Sequence, residues 1–89
     1  MPEIRLVVKD PAGLHARPAA RFVQAASRFE SRIVLRYGGQ EADAKSLISV
    51  LGLTVRPSSE IVIAAEGQDA DSALAALAAE LAPFLDATT

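Results

Sequence analysis

The residue types capable of chemistry concentrate in one run, Gly13-Leu14-His15-Ala16-Arg17-Pro18-Ala19. His15 is the single histidine of the chain, and cysteine is absent. The local pattern predicts that His15 lies where a loop becomes a helix, roughly at the N-cap. First-turn N–H groups there have no intrahelical partner and join the positive end of the helix dipole, a setting that favours an anion such as phosphate. A neutral imidazole, with an ordinary pKa of about 6.5, offers a nucleophilic nitrogen at physiological pH. Arg17, two residues on, brings a planar guanidinium that matches phosphate oxygens. The combination predicts a histidine that accepts a phosphoryl group, with Arg17 and the helix start steadying its charge. A histidine at a helix start also serves as a plain cap, and an exposed arginine as solvated surface; spacing alone does not separate these readings.

The elements that must position this run follow from periodicity. Ile4, Leu6 and Val8 alternate with Arg5, Val7 and Lys9, the signature of a half-buried strand. Asp10-Pro11-Ala12-Gly13 breaks it as a turn. Residues 16–28 are expected to be helical, with Ala19, Phe22, Val23, Ala26 and Phe29 inward and Arg17, Arg21, Gln24 and Arg28 on the opposite face. Pro18 is tolerated in the first turn. Ile33-Val34-Leu35-Arg36-Tyr37 forms a second strand, Gly38-Gly39 a tight hairpin, and Gln40–Asp43 the return. Ser46 is the natural N-cap of a short helix ending near Gly52. Residues 56–59 form a loop and 60–66 the last strand. From Asp69 or Asp71 a final helix carries the stripe Leu74, Leu77, Leu81 and Leu85, fraying at Pro83. The expected fold is α+β, an open-faced two-layer sandwich of order β-α-β-β-α-β-α, with a four-stranded antiparallel sheet covered on one face by helices.

Length and composition bound what this scaffold can do. Eighty-nine residues are read as one domain, 1–89, which buries only about 60–65% of its unfolded surface. Lacking cysteine and a second histidine, the chain is expected to hold no metal, and no cofactor is expected. Its apolar stretches are too short to span a membrane, and Met1-Pro2-Glu3-Ile4-Arg5 does not resemble a signal peptide. A cytoplasmic location is therefore expected. Aromatic residues make up 4% and the net charge is −2, which argues against nucleic acid as a partner. The mean conceals a split. All nine basic residues lie in 1–56 beside five acidic ones, whereas 57–89 carries six acidic residues and no basic one. A basic docking end is the expected consequence.

The run around His15 resembles the active-site segment of the histidine-containing phosphocarrier (HPr) family of the bacterial phosphoenolpyruvate:sugar phosphotransferase system. The likeness continues through Ala20-Arg21-Phe22-Val23-Gln24, Gly39, Ala44-Lys45-Ser46-Leu47 and Ile61-Val62-Ile63-Ala64-Ala65-Glu66-Gly67. It implies that enzyme I phosphorylates His15 at Nδ1 and that His15 passes the group to the IIA domain of a sugar permease. The chain would then be a carrier with a transient phosphohistidine rather than an enzyme turning over alone. In some branches the serine matching Ser46 is phosphorylated by HPr kinase/phosphorylase, which slows transfer and creates a form that binds a transcriptional regulator. The family's docking surface joins the first helix, here Arg17, Arg21, Gln24 and Arg28, to an apolar patch, here Leu47, Ile48 and Leu51. A carrier alternating between partners is expected to be a monomer.

The resemblance also has gaps. Leu51-Gly52-Leu53 stands about two residues earlier than the family's Leu-Gly-Leu, and Thr54 and Ser58 fall where glycine is common. A shorter second helix and a rebuilt loop over 56–59 are expected. An alternative function is a regulatory binding module of the same fold in a partial or nitrogen-related relay, although His15 argues against a relative phosphorylated only on serine.

Overall fold

The structure, a computed structural model, describes residues 2–9, 14 and 16–82, and the backbone of 85–87. The expected turn at 10–13, His15 and Pro83 lie outside the described residues. Strand β1 (Glu3–Val8) buries Leu6 and Val8 and half-buries Ile4, as its alternation requires. It pairs antiparallel with β4 (Ser59–Glu66), placing Leu6 opposite Ile61 and Val8 opposite Ser59. On its far side β4 pairs antiparallel with β2 (Arg32–Tyr37), and β2 with β3 (Gln40–Asp43). Gly38 and Gly39 make the β2–β3 turn at φ 56° and 83°, the positive pair that a two-residue hairpin needs.

Helix α1 (Ala16–Ala26) presses Pro18, Ala19, Phe22, Ala25 and Ala26 into the core. It stops two residues earlier than expected. Ser27 turns its hydroxyl back onto the Val23 carbonyl at 2.8 Å, and the N–H groups of Arg28 and Phe29 reach only three residues back, to Ala25 and Ala26. That tighter turn closes the helix. Helix α2 (Leu47–Gly52) and helix α3 (Ala70–Leu81) complete the layer, α1 packing on both and α3 on β4. The inward sheet residues Ile33, Leu35, Ile61, Ile63 and Ala65 meet Phe22, Leu74, Leu77 and Leu81 in one core. On the open face, Arg36 spans from Glu3 to Glu41, alongside the buried Val34–Ala64 pair.

Two expectations are corrected. Leu85 does not extend the α3 stripe, because the helix ends at Leu81 and residues Leu85–Ala87 form β5. Pro83 has no N–H with which to continue the helical ladder. Strand β5 pairs antiparallel with Val8, Val7 and Leu6, so the four expected strands gain a fifth in the order β3-β2-β4-β1-β5. Asp69 stands at the N-cap of α3 but makes no side-chain cap bond. Its carboxylate instead accepts from the N–H groups of Glu30 and Ser31, each at 3.0 Å, and from the Ser31 hydroxyl.

Those bonds make the fold acid-sensitive. Hydrogen bonding from Ser31, then from the Glu30 N–H, holds the Asp69 carboxyl below its ordinary value. A depressed folded-state pKa stabilises the native form above the unfolded pKa of about 4, and this is lost as pH falls through the lower folded value. Asp69→Asn is therefore expected to lower the urea midpoint at pH 7 and to flatten its decline below about pH 4. Equal pH slopes for the two proteins would contradict the assignment.

Candidate phosphorylation site and docking face

His15 lies outside the described residues, but both its chain neighbours are placed. Leu14 is buried and its N–H donates to the Val55 carbonyl at 3.2 Å; Ala16 begins α1. The Ser58 N–H donates to the Val8 carbonyl at 2.7 Å. The segment 55–58 is thus strapped to Val8 and Leu14, the residues that bracket the connection leading from β1 to His15. Arg17 is exposed in the first turn of α1, while Pro18 is buried beside it. Tyr37, at the end of β2, places its hydroxyl 3.4 Å from that of Ser59 at the start of β4. The Ser59 hydroxyl, then the Arg56 main chain, holds the Tyr37 phenol below its ordinary value.

Thr54 and Ser58, the two departures from glycine, carry backbone strain. Both have positive φ, 55° and 62°, so the backbone keeps a left-handed shape that glycine takes readily, while carrying L side chains. Ser58→Gly is expected to raise stability by about 0.5–1 kcal/mol, the relief of that strain less glycine's entropic cost. A denaturant titration showing a loss would contradict it.

Ser46 caps α2 as expected, its Oγ accepting from the Ser49 N–H at 3.3 Å. Val50 and Leu53 turn into the core, whereas Leu47 and Leu51 are each 37% exposed and Ile48 86%. Arg21 and Gln24 are exposed on α1. Because α1 packs against α2, these polar residues and the α2 patch belong to neighbouring elements. Arg28 is exposed but lies beyond the end of α1, so it does not continue the Arg17–Arg21–Gln24 face.

Sequence reasoning missed Lys45. Its ammonium donates to the Phe29 carbonyl at 2.6 Å, fastening the entry of α2 to the segment after α1. A partner 16 residues away leaves no local signal. A cleft lined by Glu30, Ser31, Glu66, Gly67, Gln68 and Asp69 lies at the opposite end of the sheet and includes none of the candidate residues. Among the described residues no metal-binding cluster occurs, and no helix is long and apolar enough to cross a membrane.

Comparison with known proteins matches residues 2–82 to the family described as the PTS HPr component phosphorylation site. The chain belongs to the HPr family. Among solved HPr structures, that of Bacillus anthracis is 43% identical, with a TM-score of 0.82 over 89% of this chain and 94% of its own. The histidine-containing phosphocarrier protein of Mycoplasma gives a TM-score of 0.90 at 32% identity, covering 92% and 93% of the two chains. Crh, a catabolite repression protein of Bacillus subtilis solved as an intertwined, swapped dimer, is 41% identical with a TM-score of 0.73 over 85% and 87%. The four-stranded antiparallel core under three helices is the HPr fold.

Proposed function

We propose that this HPr-family chain is a cytoplasmic phosphoryl carrier: His15 accepts phosphate from enzyme I and donates it to the IIA domain of a sugar permease. The uninterrupted run 13–19 in a chain of this family carries the reading, supported by the start of α1 at Ala16. The imidazole lone pair attacks phosphorus, a new P–N bond forms, and the bond to the donor breaks. Such transfer depends mainly on positioning and charge stabilisation, which two small proteins can supply between them. Arg17 stabilises the equatorial oxygens. Leu47, Ile48 and Leu51 supply an apolar contact for the partner, and Arg17, Arg21 and Gln24 on the face of α1 meet its polar and acidic residues. The carrier works as a monomer, with neither metal nor cofactor.

The test is incubation with phosphoenolpyruvate and enzyme I. The expected result is one acid-labile phosphate per chain, which a IIA domain then removes. No uptake at all would overturn the reading.

Regulation at Ser46 forms the second part of the reading, favoured by the likeness to Crh. A phosphate at Ser46 would add nearly two negative charges beside the apolar patch. Replacing the cap by alanine is expected to cost about 1 kcal/mol. If an HPr kinase acts here, the product is acid-stable, slows transfer from enzyme I, and is absent from Ser46→Ala. Kinase-independent transfer rates would remove the regulatory role and leave the carrier role standing.

A further inference from the structure

We infer that the outer edge of β1 is a docking surface for a second copy of this chain, and that β5 covers it in the monomer. The inference is independent of His15 and of the carrier reading.

Two main-chain bonds fix which residues of β1 face outward. The Pro2 carbonyl accepts from the Ala65 N–H at 3.0 Å, and the Val8 carbonyl from the Ser58 N–H at 2.7 Å. Main-chain groups alternate sides along a strand, so Ile4 and Leu6, in phase with Pro2 and Val8, also direct theirs to β4. Glu3, Arg5 and Val7 direct theirs to the opposite edge, where β5 lies. That cover is short. β5 sets Leu85, Asp86 and Ala87 opposite Val8, Val7 and Leu6, half of the six-residue strand. A three-residue edge strand is held by few hydrogen bonds, so it detaches at little cost.

The edge beneath it complements itself. Antiparallel pairing of two β1 strands about a twofold axis at Leu6 sets Leu6 opposite its own copy. Ile4 then faces Val8 of the second copy, Arg5 faces Val7, and Glu3 faces Lys9. Each facing pair shares one side of the sheet, so the apolar row of Ile4, Leu6 and Val8 continues across the junction and opposite charges meet at its ends. An axis at Arg5 would instead oppose two guanidinium groups. Pairing about Leu6 spans Glu3 to Lys9, more than twice the length that β5 covers. The contact is isologous and closes at two copies. Tethering gives β5 a local concentration of about millimolar, which keeps the intact chain single in dilute solution.

The test uses the full chain carrying Asp86→Pro. Asp86 stands opposite Val7, and proline removes the N–H that β5 offers there. Sedimentation equilibrium from about 10 μM to about 1 mM compares this variant with the wild type. Asp86→Pro is expected to dimerise at least about tenfold more tightly, with no larger species. Equal association of the two chains, or open-ended oligomers, would overturn the inference.

The register is tested by adding Val7→Glu or Val7→Lys to Asp86→Pro, because Val7 faces Arg5 of the second copy. At low salt the glutamate form is expected to dimerise about threefold to tenfold more tightly than the lysine form, and about 0.5 M salt to bring them within about twofold. Equal or reversed affinities would overturn the inference. Ile48→Asp, on the exposed α2 patch, is expected to leave the dimer intact; loss of the dimer would assign the contact to α2 and overturn it as well. Should circular dichroism show Asp86→Pro unfolded, Val7→Glu and Val7→Lys in the otherwise wild-type chain at about 1 mM decide the matter by the same order.

Discussion

His15→Ala is expected to take up no acid-labile phosphate from phosphoenolpyruvate and enzyme I, a fall of at least about a thousandfold in transfer rate. The size follows from the inventory of the chain. With one histidine and no cysteine, no second imidazole or thiolate is present to accept the group. Removing the nucleophile deletes the bond that forms, whereas removing Arg17 deletes only help to the departing charge. Arg17→Gln should accordingly retain activity, lower by about tenfold to a hundredfold. The fold should tolerate the alanine. Leu14 is tied to Val55 through its main chain, and α1 is seated by Pro18, Ala19, Phe22 and Ala25, none of which involves the imidazole. A urea midpoint within about 1 kcal/mol of the wild type is expected. Acid-labile phosphate on His15→Ala would move the acceptor elsewhere.

Gly67→Ala is expected to be the most destabilising single methyl group in the molecule, costing about 3 kcal/mol. Gly67 sits at φ 145°, where L residues are strained. A Cβ there would lie 2.5 Å from Ser31 Oγ, 2.9 Å from Ser31 Cα and 3.0 Å from its Cβ. Two of those atoms belong to main chain or its first carbon, and Ser31 is buried and held by Asp69. No flexible tip is available to swing aside, so strain and overpacking add. Urea unfolding measures the loss directly. A cost below about 1 kcal/mol would show that β2 and the β4–α3 turn can separate freely.

The elements built on local periodicity were legible. β1, β2, the Gly38-Gly39 hairpin and the Ser46 cap all appear where residue spacing puts them. What escaped depends on partners far along the chain. The Asp69 carboxylate clasp requires Glu30 and Ser31 to pass beside it. β5 exists because β1 offers an open edge, and an apolar leucine at residue 85 suits a helix stripe and a strand equally well. The histidine, arginine and serine of the candidate site were visible as types in a recognisable run. The strap through Val55 and Ser58 was not, because main-chain hydrogen bonds leave no trace in side-chain identity.

Tyr37 has an optical consequence. The chain contains one tyrosine and no tryptophan, so emission excited above the absorption band of its three phenylalanines comes from a single ring. That ring stands at the sheet end shared with Ser59 and the strapped segment, its hydroxyl 3.4 Å from Ser59 Oγ. Ultraviolet fluorescence of the unlabelled protein therefore reports on this end alone. A partner that lacks both tryptophan and tyrosine can be followed on arriving there by the emission intensity of one phenol.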